Sequence, residues 1–168
     1  MATTKKSSRR SGKKSAATKK KKKTSTRTPK LAAGIYTVPR GHVSIAVPPF
    51  WTLRQTNEDL EVEAPSGATS VIVTAFQRNG RKQKLDAREY LEHFLETAPK
   101  NGRLQREEGS KQRAMARYKD TDGDHWEVSF VTNGETLLLA TCNTSFPAAN
   151  KEARTGFRVL ESVSIKKR

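Results

Sequence analysis

Residues 125–143 constrain the fold of this chain most, because they read as two strands joined by a tight turn. The first half alternates with the period of two that is typical of a β-strand, and its large apolar residues are Trp126, Val128 and Phe130. Asn133-Gly134 follows, and this dipeptide is the strongest short-range hairpin signal. Residues 137–142 are then too apolar to lie with one face in water. We therefore expect a hairpin whose return strand lies in the middle of a sheet, covered on both faces.

The positive charge of the chain is concentrated at its start. Of the 33 Lys and Arg residues, 13 lie in residues 1–30, which contain no Asp or Glu. Residues 31–168 hold the other 20 and all 17 acidic residues, so they carry only +3 of the total charge of +16. Apart from Met1, residues 1–30 also lack large apolar side chains and therefore cannot bury enough surface to fold alone. We expect a disordered Lys/Arg-rich tail at 1–30 and one folded domain at 31–168.

The first half of the domain predicts short strands and then a helix. Strands are expected at residues 35–38, 42–47, 60–64 and 70–77. The prolines of the Pro48-Pro49-Phe50-Trp51 corner end the second strand, and the two aromatic residues should anchor the corner. Asp86 is a suitable N-cap for a helix over residues 86–98. The apolar face of this helix is formed by Ala87, Tyr90, Leu91, Phe94, Leu95 and Ala98.

Beyond that helix, two outer strands are expected at residues 103–108 and 112–118, before the central hairpin. A second helix should open at Ser145 or Phe146, with Gly156 allowing it to approach the sheet closely. Its apolar face would hold Ala149, Ala153, Phe157, Leu160 and Val163. Since short turns join the strands, the fold class is α+β, with a central, mainly antiparallel sheet flanked by two helices.

The order of these patterns resembles the PsbP-like superfamily. The resemblance covers about residues 41–165 and rests on the corner at residues 47–51, the helix with Tyr90 and Leu91, Trp126-x-Val128-x-Phe130, and the closing Phe157-x-x-Leu160-x-x-Val163. That group includes the extrinsic photosystem II subunit, a nucleotide-release factor for the Ran GTPase, and bacterial domains of unknown function, some of them secretion chaperones. The resemblance implies a sheet flanked by helices and a role in binding rather than catalysis.

The basic tail is the sharpest functional signal in the sequence. Its cations attract phosphate through counterion release, without reading sequence. We therefore predict association with nucleic acid or another polyanion through Arg9, Arg10, Lys13, Lys14, Lys19, Lys20, Lys21, Lys22 and Lys23. No aromatic residue interrupts residues 1–30, so base stacking is not expected from the tail itself. A merely solubilising extension, a nuclear localisation signal and a plastid transit peptide remain alternatives.

Other candidate chemistry in the sequence is weak. Residues 120–124 hint at a calcium loop, but the glycine falls at the wrong position of the EF-hand pattern, so a tight turn is expected. The spacing of the three histidines suggests neither a metal site nor a catalytic triad: His42, His93 and His125. Cys142 reads as an inert buried thiol. Trp51 and Trp126 read as core residues, and residues 79–84 as a solvated basic loop that has phosphate contact as the alternative.

Four glutamates read as strand surface charges rather than as a paired acid–base site: Glu61, Glu63, Glu107 and Glu108. We accordingly expect a non-enzymatic protein with no catalytic residue, metal or cofactor. A protein-binding chaperone or adaptor, with the tail incidental, is the alternative.

The cellular compartment is predicted from three features that the sequence does not show. The single cysteine allows no internal disulfide, no apolar run approaches the roughly 20 residues of a membrane span, and no hydrophobic signal core is seen near the start. We expect an intracellular protein, either cytoplasmic or located in the nucleoid or nucleus.

Overall fold

The computed structural model describes residues 32–38, 41–77, 84–99 and 101–166. Ten strands and two helices follow one another along them. Their bounds are β1 Ala32–Val38, β2 Gly41–Val47, β3 Thr52–Gln55, β4 Asp59–Glu63, β5 Thr69–Gln77, α1 Ala87–Thr97, β6 Asn101–Ser110, β7 Arg113–Lys119, β8 His125–Thr132, β9 Thr136–Thr144, α2 Lys151–Glu161 and β10 Ser164–Ile165. The predicted tail at residues 1–30 and most of the basic loop at residues 79–84 lie outside the described residues.

Seven strands form the main sheet, in the order β3-β4-β5-β9-β8-β7-β6, and all their pairings are antiparallel. The predicted hairpin of β8 and β9 is present, with Phe130 opposite Leu139. Gly134 lies in its turn at φ 94°, a backbone conformation that glycine adopts at little cost. As predicted, β9 lies in the middle of the sheet. The α+β fold class with a mainly antiparallel sheet is therefore confirmed.

The two helices cover opposite faces of the main sheet. Helix α2 and strand β2 pack on one face, where the cluster includes Val73, Leu138, Cys142 and Phe157. Helix α1 packs on the other face, in a cluster built on alternate positions of the same strands: Ala87, Leu91, Leu95, Ala114, Ala116, Tyr118, Val128, Phe130 and Leu137. Strand β8 is thus buried on both faces over residues 127–132.

Helix α1 begins where its capping residue predicts. The Asp86 carboxylate accepts a hydrogen bond of 2.9 Å from the backbone N–H of Arg88. Leu91 and Leu95 face the sheet and are buried, as expected. Tyr90 lies at the border of the apolar face and remains exposed, although its ring still contacts Phe130.

Helix α2 begins later than predicted, so the start at Ser145 or Phe146 is wrong. The N–H of Ser145 bonds to the carbonyl of Ala68, which continues the contacts of the sheet. The helix is capped instead by Asn150, which accepts a hydrogen bond of 2.7 Å from the N–H of Glu152. Ala149 is consequently exposed outside the helix, whereas the rest of the predicted apolar face is buried: Ala153, Phe157, Leu160 and Val163.

Strands β1, β2 and β10 form a separate three-stranded sheet rather than part of the main one. Strand β2 is its middle strand, with Val43 and Ile45 fully buried against the α2 side of the core. The prediction that both aromatic residues anchor the following corner is half right. Trp51 packs against this core, but Phe50 points outward and is 91% exposed.

Neither helix among the described residues is long and apolar enough to cross a membrane.

Candidate binding surfaces

The nine predicted polyanion-binding residues lie outside the described residues: Arg9, Arg10, Lys13, Lys14, Lys19, Lys20, Lys21, Lys22 and Lys23. What the structure does describe is the point where their segment joins the domain. Strand β1 starts at Ala32, which lies opposite Val47 at the end of β2. Paired strands are about 5 Å apart, and Val47 is three residues before Phe50. The basic segment therefore enters the domain beside the corner at residues 48–51.

The corner itself is a tight turn with an outward-pointing aromatic ring. The N–H of Trp51 donates a hydrogen bond of 3.3 Å to the carbonyl of Pro48. Pro49 occupies the second position of the turn, and Phe50 occupies the third with φ 70°. That φ matches a type II turn, in which the third residue is usually glycine. Phe50 therefore holds a left-handed conformation that is unusual for a bulky side chain.

Helix α2 presents a basic stripe to solvent. Lys151, Arg154 and Arg158 are all exposed and recur at spacings of three and four, so they lie along one side of the helix. The acidic residues of the helix have other contacts. Glu152 accepts a hydrogen bond from Ser66 at 2.5 Å, and Glu161 lies 3.5 Å from the guanidinium of Arg117.

The opposite side of the domain carries a group of exposed or half-buried acids. Helix α1 exposes Glu89, Glu92 and Glu96, the last of which lies 3.4 Å from His93. The alternate residues of β4 that point away from the α2 core are all acids and lie on this same side: Asp59, Glu61 and Glu63. Glu61 and Glu63 are half-buried, and Glu63 lies 3.3 Å from Arg54. The side chains of Glu107 and Glu108 lie outside the described residues. Exposed cations lie on this side as well, namely Lys84, Arg88 and Lys111, so both faces of the domain carry mixed charge.

Among the described residues, α1 packs mainly over β6, β7 and β8 and leaves part of this sheet face exposed. On the other half, Ile72 and Phe76 of β5 are 38% and 39% exposed, and Tyr90 at the border of α1 is 42% exposed. These three exposed apolar side chains lie on the face that α1 covers in part, and Ile72 is directly opposite Glu61 of β4.

A buried charge pair, not predicted from the sequence, lies under the end of α2. Arg117 on β7 donates from Nε to Oε2 of Glu127 on β8, and the Glu127 side chain is fully buried. The guanidinium also lies 5.4 Å from the centre of the Phe157 ring. Arg113 donates to the carbonyls of Glu161 and Val163, so two arginines fasten the end of α2 to the sheet.

Cys142 lies next to this pair, directly opposite Glu127 in the sheet. Burial raises the pKa of its thiol, and the negative charge of Glu127 raises that pKa further. Both effects favour the protonated form, whereas a nucleophilic cysteine needs a lowered pKa. The arrangement therefore suits a packed thiol.

The Asp120–Asp124 segment is the tight turn that the sequence predicts. One carboxylate oxygen of Asp120 accepts the backbone N–H groups of Asp122 and Asp124 at 3.0 and 2.9 Å. The other accepts the indole N–H of Trp126 at 2.7 Å. The Trp126 bond is the main cause of a lowered pKa at Asp120. Trp126 also stacks on Tyr118 at 6.2 Å, so it packs as expected.

The three histidines lie on different elements, which are β2, α1 and β8 for His42, His93 and His125 respectively. Within the described part of the chain, no three His, Cys, Asp or Glu side chains are grouped so that they would hold a metal ion.

No protein-family model and no curated protein matches this sequence. Among solved structures, the solution structure of cyanobacterial PsbP (CyanoP) from Synechocystis sp. PCC 6803 is similar with a TM-score of 0.56 and 11% identity, covering 85% of this chain and 96% of that one. A crystal structure from Bacteroides thetaiotaomicron VPI-5482 is similar with a TM-score of 0.46 and 12% identity. The match covers 75% of this chain but only 46% of that one. The similarity to CyanoP confirms, at the level of the fold, the resemblance expected from the sequence.

Proposed function

We propose that this protein, whose domain has the PsbP-like fold, is a non-enzymatic binding protein that associates with nucleic acid or another polyanion through its basic N-terminal segment. One observation carries the proposal: residues 1–30 contain 13 cations and no acid. Such a segment neutralises phosphates and releases their counterions, which yields affinity without sequence specificity.

The shape of the domain supports this role for the segment. Residues 1–31 join the domain beside the corner at residues 48–51, next to β2, which packs on the same face of the main sheet as α2. Helix α2, on that face, supplies the further exposed cations Lys151, Arg154 and Arg158, while the acids of β4 point to the opposite face. The raised pKa of the Cys142 thiol does not suit a nucleophile, and the three histidines lie on separate elements, so neither group favours a catalytic role.

The experiment measures binding of the full chain to a labelled DNA duplex over a salt series. If six to ten phosphates are contacted, the affinity should fall about a thousandfold or more between about 50 and 200 mM salt. Replacing Lys19, Lys20, Lys21, Lys22 and Lys23 together by Ser should weaken binding and flatten the salt dependence by about 0.9 per lost contact.

The matched control replaces one exposed lysine of the domain that lies beside the start of α1. Lys111→Ser, whose ammonium lies 3.9 Å from Asp86, should leave both affinity and salt slope nearly unchanged. Equal losses per lysine at residues 19–23 and at Lys111 would show that only overall charge matters, and the proposal would then be wrong.

A second candidate function, a protein-binding chaperone or adaptor, is favoured by three exposed apolar side chains on the same face as the β4 acids: Ile72, Phe76 and Tyr90. This surface suits a segment with apolar and cationic residues. The test is binding of a labelled amphipathic Leu/Lys peptide to the full chain at about 0.5 M salt, where contacts to phosphate are largely screened. Phe76→Ser should weaken this binding severalfold, and Phe50→Ser, on the other side of the domain, should not.

A further inference from the structure

Helix α2 exposes three cations that make no side-chain contact within the domain. Lys151, Arg154 and Arg158 lie within an arc of about 60°, because successive residues of an α-helix are rotated by about 100°. Within the described part of the chain, none of these side chains is paired with an acid or hydrogen-bonded to another residue. The other arginines whose side chains are described all have partners: Arg54 with Glu63, Arg88 with the Gly109 carbonyl, Arg113 with the carbonyls of Glu161 and Val163, and Arg117 with Glu127.

The stability of the helix does not explain this basic stripe. Arg154 and Arg158 are four residues apart, a spacing at which like charges destabilise a helix. Lys151 is the first residue of α2, where the helix dipole disfavours a cation. The acid nearest the stripe along the helix, Glu161, lies 3.5 Å from Arg117. The three cations are therefore available to a partner outside the chain.

The rest of α2 holds the stripe in a fixed place. Asn150 caps the start of the helix, and Phe157 and Leu160 are buried against the main sheet. Arg113 donates hydrogen bonds to two carbonyls at the other end. Because the helix is anchored at both ends and along its buried face, its backbone loses little freedom when a ligand binds.

The spacing of the stripe suits a row of phosphates. A helix rises about 1.5 Å per residue, so about 10.5 Å separates Lys151 from Arg158 along its axis. One strand of a DNA duplex presents a phosphate about every 3.4 Å of its axis, which places about three phosphates over that length. The planar guanidinium groups of Arg154 and Arg158 match phosphate oxygens in pairs.

The composition of α2 favours a duplex over a single strand or an acidic protein. Its one aromatic residue, Phe157, is buried, so the helix offers no ring for stacking on an unpaired base. None of its exposed residues is a large apolar one, whereas the centre of a protein interface is usually rich in aromatic side chains and poor in lysine. The surface thus supplies contacts to phosphate alone.

We propose that the basic stripe of α2 binds the sugar-phosphate backbone of a nucleic-acid duplex, independently of its sequence. This assignment rests on the polyanion binding proposed above and adds a phosphate-binding surface on the folded domain. The three cations would neutralise neighbouring phosphates of one strand and release their counterions.

The experiment compares the full chain with the double variant Arg154→Gln/Arg158→Gln on a labelled DNA duplex over a salt series. Loss of two phosphate contacts should lower the slope of log affinity against log salt by about 1.8 and weaken binding about 10- to 100-fold at about 0.1 M salt. The variant should unfold at the same or a higher temperature, because glutamine is a good helix former and two neighbouring like charges are removed. Affinity for a labelled deoxythymidine strand should fall much less, since a flexible strand does not present its phosphates at fixed spacing.

Two control variants test whether position and charge both matter. Arg154→Lys/Arg158→Lys keeps both charges and should retain most of the salt slope. Lys84→Gln/Lys111→Gln removes the same charge from the α1 side and should leave affinity and slope nearly unchanged. If this second control weakens duplex binding as much as Arg154→Gln/Arg158→Gln does, overall charge alone matters and the stripe assignment is wrong.

The outcomes separate the stripe from the N-terminal segment. If Arg154→Gln/Arg158→Gln binds the duplex like the native chain, while replacement of the lysines at residues 19–23 by Ser weakens binding, the stripe assignment is wrong and the proposed function stands. The reverse pattern would support the stripe and overturn the role of the segment. An equal loss on the deoxythymidine strand, or a loss of affinity for polyglutamate but not for the duplex, would overturn the assignment of a duplex. If the native chain binds no nucleic acid, both proposals fail.

Discussion

Arg117 and Glu127 lie directly opposite each other on β7 and β8, and the guanidinium of Arg117 reaches from a partly exposed position to a carboxylate that is fully buried. A buried carboxylate is costly unless a cation and hydrogen bonds compensate for its lost hydration. Arg117 supplies this compensation, and its contacts with Glu161 and Phe157 also tie helix α2 to the sheet.

Removing the cation should therefore cost more than removing the pair. Arg117→Met leaves the charge of Glu127 buried and should lower the free energy of unfolding by about 3 kcal/mol. Adding Glu127→Gln to that variant should restore a substantial part of the loss. Chemical denaturation of the native chain, the two single variants and the double variant measures the coupling. Additive effects of the two substitutions would contradict the role assigned to the pair.

Gly156 sets the distance between helix α2 and the main sheet. A Cβ at this position would stand 2.7 Å from Cγ2 of Thr69 and 2.9 Å from Sγ of Cys142. Gly156→Ala should therefore destabilise the fold by about 1–3 kcal/mol, although alanine is the better helix former. Thr69→Ser removes the obstructing methyl group but keeps the hydroxyl that bonds to Thr144, so it should partly rescue Gly156→Ala. Thermal unfolding checks both, and a more stable Gly156→Ala variant would contradict the close approach.

Cys142 should be protected from reagents in the native state, because it is buried and because its thiol has a raised pKa. A disulfide reagent should react with it only after denaturant is added. The stability that this thiol contributes is fully present below its ordinary pKa of 9.0 and is lost as the pH rises above that value. Between about pH 8 and pH 10, Cys142→Ala should consequently lose less stability than the native chain. Rapid labelling of the native protein at pH 8 would contradict this account.

The Asp120–Trp126 contact should respond to acid. The indole N–H bond lowers the pKa of the Asp120 carboxyl below its ordinary 3.8, so the stability from this contact is present above pH 3.8 and is lost as the pH falls below it. The indole N–H resonance of Trp126 should therefore shift with a midpoint below pH 3.8. Asp120→Asn keeps an acceptor but cannot titrate, so its indole signal should stay constant. A midpoint above 3.8 in the native chain would contradict the contact.

Local patterns predicted the fold where one signal dominates. The hairpin of β8 and β9 follows from alternation around Asn133-Gly134, and α1 follows from its Asp86 cap. The start of α2 was missed because Pro147 is compatible with a first helical turn, while the true cap, Asn150, lies three residues later. Separation of β1, β2 and β10 into their own sheet depends on long-range packing that no local pattern contains.

The binding surfaces were harder to predict than the fold. The burial of Glu127 was not predicted, because a glutamate that alternates with apolar residues on a strand normally faces solvent, and only the packing of α2 over this face covers it. The outward position of Phe50 does not follow, because hydropathy predicts that an aromatic ring beside Trp51 is packed. Only the left-handed backbone at Phe50 directs the ring into solvent. The grouping of Lys151, Arg154 and Arg158 on one side of α2 follows from their spacing of three and four and could have been predicted from the sequence.

The central position of β9 has a consequence for synthesis on the ribosome. Among the described strands, β9 alone joins β3-β4-β5 to β6-β7-β8, because it pairs with β5 on one side and with β8 on the other. A growing chain therefore carries two unfinished pieces, β3-β4-β5 and β6-β7-β8, until residues 136–144 have emerged. Closure joins Val71 to Cys142 across a long stretch of sequence, and such distant pairings form slowly. During that interval the free edges of β5 and β8 are exposed to wrong partners, which is the stage at which a folding helper would matter most.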